Sequence, residues 1–264
     1  MSQTEWSNLA GAAEPVATPW WRVPRAVWRL MHTIAYLVWA SWLVRLTFGG
    51  LSTEAKARKI QHWSHGLLTR LGVRLQVHGQ FRPGAKLIVS NHVSWMDILA
   101  IYATHPARFV SKAEVAHWPV VGGMVVAAGT LLLERAKRRD AMRVMGLLTQ
   151  TMKDGGTAAA FPEGTTGNGQ EVLPFHGNLL QAAIDADVPV QPVAIRYVDS
   201  VHAISPSAAY VGDTSLAQSL WWVAGAHGLT VHLKVLSPQR VTHADRRALA
   251  HALHTEIVDA LAGR

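Results

Sequence analysis

The rhythm of hydrophobic and polar positions changes twice along this chain. From residue 30 to residue 44, between Arg29 and Arg45, fifteen residues (LMHTIAYLVWASWLV) carry no formal charge. The run reads as a helix. It reaches the roughly 20 apolar residues of a membrane span only if Arg45 is tolerated, at roughly 3 kcal/mol at the bilayer centre and less near an edge. Three placements follow: embedded in or across a membrane, in the plane of its surface, or inside a protein core. Residues 52–71 continue as a second helix, with Ile60, Trp63, Leu67, Leu68 and Leu71 near a 3.6-residue period opposite Lys56, Arg58, Lys59 and Arg70. Such a basic amphipathic helix either lies on anionic lipid or packs on a core with its basic face in water.

From residue 73 short β-rich runs alternate with helical stretches. Strands are expected over 73–78, 86–90, 108–111, 130–134, 157–161, 190–197 and 230–236. Helices are expected over 95–104, 120–128, 137–153, 177–186, 215–226 and 244–261. Pro83-Gly84, Gly155-Gly156 and the loop 164–169 punctuate the pattern. The alternation predicts an α/β fold: a mixed sheet of about seven strands covered by helices, with ligands at the strand ends. It divides the chain into an N-terminal tail with membrane-binding helices (1–72) and an α/β domain (73–264).

Composition narrows the partners. Hydrophobic residues make up 49% and charged residues 16%, which excludes a disordered chain or a coiled coil. The chain has no cysteine, so disulfides, zinc–thiolate sites, iron–sulfur clusters and a cysteine nucleophile are excluded. The formal net charge of +8 favours anionic partners: phospholipid, acidic protein, nucleotide or nucleic acid. Of eleven tryptophans, seven precede residue 64 (Trp6, Trp20, Trp21, Trp28, Trp39, Trp42, Trp63), interleaved with Arg22, Arg25, Arg29 and Arg45. Trp and Arg together suit the lipid–water interface. They cluster in an apolar helix rather than a base-stacking surface, and no nucleic-acid recognition motif accompanies them.

Two segments carry chemistry. In Lys86-Leu-Ile-Val-Ser-Asn-His92-Val-Ser94-Trp-Met-Asp97 a strand runs into a turn and a helix start. Ser94 and Asp97 have the spacing of a capping box, in which Asp97 would only satisfy backbone N–H groups. Alternatively Asp97 fixes the tautomer of His92 and leaves its other ring nitrogen as a general base. In Phe161-Pro-Glu163-Gly164-Thr165-Thr166-Gly167-Asn168-Gly169 a strand enters a glycine-rich loop, able to cradle an anion or simply to turn the chain. It lacks the Gly-Lys-Ser/Thr of a Walker loop. The pairs His62/His65 and His251/His254 have no accompanying carboxylate pattern, so no metal is expected.

Taken together, His-x4-Asp at a strand end followed by Phe-Pro-Glu-Gly-Thr resembles the glycerolipid acyltransferase family, that of 1-acylglycerol-3-phosphate acyltransferases. Gly129-Thr-Leu-Leu-Leu-Glu-Arg135 and Val188-Pro-Val-Gln-Pro-Val193 resemble two further blocks of that family, and Phe109-Val-Ser-Lys112-Ala-Glu114 before Pro119 and Gly122 is similar to it as well. The resemblance covers about residues 75–200. It implies an enzyme in which His92, oriented by Asp97, deprotonates a lysolipid hydroxyl for direct attack on an acyl thioester. The co-substrate would be acyl-CoA or acyl carrier protein (acyl-ACP), with no cofactor. Backbone N–H groups or Lys112 would hold the oxyanion. Lys112, Arg135, Glu163, Gly164, Thr165 and Thr166 would bind substrate, while Trp95 and Met96 would line a core or acyl channel. The expected location is the membrane, at the cytoplasmic face of the inner membrane.

One departure matters: the family's third block often reads Glu-Gly-Thr-Arg, and Thr166 stands in place of the arginine. This is more similar to the branch of lyso-ornithine lipid acyltransferases. Besides 1-acyl-sn-glycerol-3-phosphate, the sequence therefore leaves lyso-ornithine lipid as acceptor. It also leaves a catalytically silent peripheral membrane-binding protein.

Overall fold

The structure, a computed structural model, describes residues 17–134, 138–241 and 245–263. Two helices come first. Helix α1 (Val23–Thr47) opens with Pro24 in its first turn, where a missing N–H costs nothing. Helix α2 (Thr53–Leu71) is capped by Ser52, whose side chain accepts from the N–H of Ala55, and stops at Gly72. Gly72 has φ 80°, and a Cβ there would stand 2.1 Å from the Arg29 guanidinium. Only glycine satisfies both constraints.

The seven strands are β1 (Arg74–His78), β2 (Lys86–Ser90), β3 (Arg108–Lys112), β4 (Leu131–Leu133), β5 (Thr157–Ala160), β6 (Val190–Val198) and β7 (Thr230–Val235). They form one sheet in the order β1-β7-β6-β2-β5-β3-β4, parallel throughout except for the antiparallel β6–β7 pair. The intervening helices are α3 (Met96–Thr104), α4 (Val121–Ala127), α5 (Arg138–Lys153), α6 (Leu180–Ala186), α7 (Leu216–Gly225) and α8 (Arg246–Ala262). The α/β architecture and the seven-stranded mixed sheet expected from the sequence are thus present. The 3-10 turn Ala113–His117 was not expected. Its residues carry no helical hydrophobic period.

Alternation along the strands divides the interior. Ile88, Ala159, Ile195 and Tyr197 face α2, α3 and α7, whereas Leu87, Val89, Ala158 and Ala160 face α5, α6 and α8. Every residue of β2 is buried, as in a central parallel strand covered on both faces. The chain leaves β2 toward α3 on one face and leaves β5, its neighbour, toward α6 on the other. Adjacent strands whose connections part in this way open a crevice at their carboxyl ends.

Helix α1 lies along the domain. Its Ala26, Thr33, Ala40, Ser41 and Val44 are buried, and Arg29 donates to the carbonyls of Ala224 (2.9 Å) and Ala226 (3.0 Å) at the end of α7. Cationic donors are favoured at that negative helix end. Among the described residues no helix is long and apolar enough to cross a membrane, so the spanning placement of residues 30–44 is corrected. The inward polar residues and the arginines dilute the apolar run. Its other face leaves Trp28, Met31, Ile34, Val38, Trp39, Trp42 and Leu46 exposed.

Candidate active site

The carboxyl end of β2 is built by side chains acting as backbone. Asn91, 3% exposed, donates from Nδ2 to the Ile195 carbonyl (2.9 Å), and its Oδ1 accepts from the Ile195 N–H (2.8 Å). The amide thereby continues the β2–β6 ladder one step past Ser90–Val193. The chain is then free to turn without leaving buried β6 groups unpaired.

His92 is gripped next, by its main chain. Its N–H donates to Glu163 Oε1 (2.6 Å), and its carbonyl accepts from Gly167 N–H (2.7 Å). Glu163 Oε2 also accepts from Leu173 N–H (2.9 Å), so one carboxyl joins three segments. Burial pushes the Glu163 carboxyl up to about 8 and nearby Asp97 adds to the rise, while the two N–H donors pull it down. The loop reaches His92 because Gly164, at φ 72°, turns tightly and its N–H closes on the Phe161 carbonyl.

The His92 ring lies against Phe161, with centroids 3.9 Å apart and planes 8° from parallel. Its Nδ1 is 2.8 Å from Asp97 Oδ2. The same oxygen accepts the N–H groups of Val93 (2.7 Å) and Ser94 (2.9 Å), so it is an acceptor and Nδ1 must carry the hydrogen. That tautomer leaves Nε2 with a lone pair. Nε2 has no hydrogen-bond partner among the described residues, and the side chain is 17% exposed, against 0% for Asp97. The remaining oxygen of Asp97 accepts the hydroxyl of Tyr197 at 2.7 Å. An oriented imidazole with one open nitrogen can accept and return a proton.

The two readings of the His92 segment therefore coincide on one carboxylate. Asp97 satisfies backbone N–H groups and orients His92. Helix α3 begins only after Trp95 and has no side-chain cap, so the Ser94 half of the expected box is not formed. Ser94 Oγ has no hydrogen-bond partner among the described residues.

The other expected residues divide. Glu163 reaches the backbone of His92 and Gly164 makes the turn beside it. Thr165 is exposed. The Thr166 hydroxyl donates to the Tyr210 carbonyl, and Tyr210 N–H donates to the Val93 carbonyl (3.0 Å). Thr166 thus ties the loop to a strap that also holds the His92 turn. Lys112 is exposed at the carboxyl end of β3. Arg135 lies outside the described residues. Met96 is wholly buried, and Trp95 Nε1 donates to Ser219 Oγ (3.0 Å). Neither lines the cavity described next, so both belong to the core reading.

That cavity, of about 130 Å³, lies between α1, α2, α3, α4 and the sheet and is lined by Phe48, Trp63, Leu99, Tyr102, Phe109 and Met124 among others. Aromatic rings connect its wall to the imidazole: Tyr102 packs edge-on to Phe109 (4.8 Å), Phe109 on Phe161 (5.8 Å), and Phe161 on His92. Among the described residues no three His, Asp or Glu side chains come together to hold a metal ion.

Sequence reasoning missed Tyr197. The signal was a tyrosine in a mostly apolar, buried strand, since a buried phenol requires a hydrogen-bond partner.

Comparison with known proteins gives the family. A family model described as acyltransferase matches residues 74–196. The chain is 35% identical over 226 residues to a lyso-ornithine lipid O-acyltransferase of Pseudomonas aeruginosa, covering 85% of this chain and 86% of that protein. It is 33% identical over 207 residues to a 1-acyl-sn-glycerol-3-phosphate acyltransferase of Neisseria meningitidis serogroup B, covering 77% and 81%. Its fold resembles the crystal structure of the 1-acyl-sn-glycerophosphate (LPA) acyltransferase PlsC from Thermotoga maritima, with a TM-score of 0.67, 21% identity and coverage of 92% and 97%.

Proposed function

The chain belongs to the acyltransferase family, and on that premise we propose that it moves a fatty acyl group from a thioester to the free hydroxyl of a lysolipid. The observation that carries this reading is the open Nε2 of His92, oriented through Nδ1 by Asp97 and joined by stacked rings to an apolar cavity.

In this reading the acyl chain occupies the cavity and its thioester carbonyl lies beside His92. Nε2 takes the hydrogen of the acceptor hydroxyl while the oxygen attacks the carbonyl carbon. A C–O bond forms and the carbonyl π pair moves onto oxygen. Backbone N–H groups at the strand ends and Lys112 supply donors for that oxyanion. Collapse breaks the C–S bond, and the hydrogen held on His92 passes to the departing sulfur. No acyl-enzyme and no metal take part. Asp97 stabilises the transient imidazolium.

The acceptor is 1-acyl-sn-glycerol-3-phosphate, giving phosphatidic acid, as in the name of the Neisseria relative. Lys112, Arg135, Gly164, Thr165 and Thr166 form its binding side, and Glu163 acts there through the His92 backbone. A second reading, lyso-ornithine lipid as in the name of the Pseudomonas relative, is favoured by one residue. Thr166 stands where an arginine would give a bidentate phosphate contact of about 1.5–3 kcal/mol. Helix α1 lies in the plane of the membrane with its exposed Trp28, Trp39 and Trp42 at the interface, on the cytoplasmic face of the inner membrane. The net charge of +8 suits either anionic donor, acyl-CoA or acyl-ACP.

The test offers purified protein lysophosphatidate and lyso-ornithine lipid, each with acyl-CoA and with acyl-ACP, beside His92→Ala. Diacyl product from wild type and none from His92→Ala is expected. Wild type that acylates neither acceptor leaves a silent membrane-binding protein instead. Thr166→Arg should turn preference toward the phosphate acceptor, and an unchanged preference removes position 166 from acceptor choice.

A further inference from the structure

We infer that Tyr197 is a positioning residue whose hydroxyl sets how strongly Asp97 pulls on the hydrogen of His92, and so tunes the base. The inference rests on the reading of His92 as that base.

The two oxygens of Asp97 are engaged differently. Oδ2 takes the His92 ring and two backbone N–H groups, whereas Oδ1 takes Tyr197 at 2.7 Å. Among the described residues no Lys or Arg pairs with Asp97. Its charge is therefore spread only over hydrogen-bond donors, in a wholly buried site where each donor counts for more. A donor on Oδ1 draws charge from the carboxylate and weakens its hold on the Nδ1 hydrogen. The imidazolium is then less favoured and the neutral base more available.

The geometry keeps that donor in place. Ile195 and Tyr197 face the same side of β6, and Asn91 clamps Ile195 by two hydrogen bonds to the turn that carries His92. The phenol is thus registered against Asp97 by a clasp two residues away. Burial and the adjacent Asp97 charge hold the phenol well above its ordinary value of 10, so it stays a donor throughout the working range. Among the described residues the titratable groups bonded to the His92 ring, its main chain or Asp97 are Asp97 from α3, Tyr197 from β6 and Glu163 from the loop after β5. His176 lies behind Gly164, 3.7 Å from where a Cβ would stand.

The test reads His92 directly, by ¹⁵N NMR titration of its imidazole in detergent-solubilised protein, with His92→Gln to assign the signal. Tyr197→Phe should raise the titration midpoint by about half to one pH unit, the equivalent of one net hydrogen bond. Replacement of Tyr197 by 3-fluorotyrosine, a stronger donor, should lower it. The acid limb of kcat should move with the midpoint, with KM for the thioester changed less than about twofold. Midpoints unmoved in both variants, or moved in the same direction, overturn the inference and leave Tyr197 a packing residue. If Tyr197→Phe does not fold, the direction of the fluorotyrosine shift decides alone. A midpoint that moves while the acid limb stays fixed upholds the coupling and overturns instead the reading of His92 as base.

Discussion

Asp97 and Lys86 are both wholly buried, but they are buried in opposite ways. Asp97 stands beyond the carboxyl end of β2 and accepts four hydrogen bonds, from a histidine, two backbone N–H groups and a tyrosine. Lys86 opens the same strand at its amino end. Its Nζ donates to the Gly84 carbonyl (3.1 Å) and to Thr157 Oγ1 (3.3 Å) and among the described residues meets no carboxylate. Burial, with Arg82 nearby, pulls the amine from 10.5 down to about 8. Its neighbour His105, 3.3 Å from the same Thr157 hydroxyl, falls from 6.5 to about 4 through burial and then through Lys86. Burial of a charge therefore does not by itself mark a site. What distinguishes the Asp97 end is a donor shell supplied from separate elements that still leaves one reactive atom, His92 Nε2, open.

The sharpest way to break this contrast is to remove the open atom. His92→Gln should reduce acyl transfer by about 10³–10⁴-fold with little change in melting temperature. Equal losses of activity and fold would make the His92 end merely structural. Removing the shared acceptor is next. Asp97→Leu strands an imidazole N–H, two backbone N–H groups and a phenol, and denaturant titration should register a loss of about 3–5 kcal/mol.

The same operation at the other end should run the opposite way. Lys86→Met replaces an amine that makes two hydrogen bonds and has no ion-pair partner among the described residues by an apolar chain of similar length, and should leave stability unchanged or raise it by about 1–2 kcal/mol. A loss as large as that of Asp97→Leu would abolish the distinction between the two ends. The gain should also depend on pH. The folded-state value of Lys86 lies below its unfolded value, so the charged amine penalises the fold fully below about 8, and the penalty fades as pH rises toward 10.5. The advantage of Lys86→Met over wild type should shrink across that window. The smallest effect falls on His105: in Lys86→Met its titration, followed by NMR, should rise from about 4 while remaining below 6.5.

Much of this was legible beforehand because it is local. The strand and helix periods placed all seven strands to within a residue or two, since alternation and the 3.6-residue repeat reflect which side of the chain is covered. His92 and Asp97 lie close in sequence, so a turn followed by a helix brings them together. Glu163 was legible as a loop residue but not as the acceptor for the His92 N–H, because that contact joins the ends of two neighbouring strands. Thr166 looked like an acceptor ligand, and its tie to the Tyr210 carbonyl arises from a strap more than forty residues away. The spanning reading of residues 30–44 failed for a related reason. An apolar run does not reveal that one face of its helix is occupied by protein.

The sequence by itself determined the α/β architecture and the basic and tryptophan-rich N-terminal helices, because each depends on period or composition, and it offered the histidine–carboxylate pair as one of two readings of a short spacing. Tertiary structure alone decided that Tyr197 and Asn91 bring β6 to the tip of β2, that stacked rings run from the wall of a cavity to the imidazole, and that Lys86 is buried without a counter-charge among the described residues. Those facts depend on which strands become neighbours, and strand order is set by packing over the whole sheet rather than by any stretch of chain.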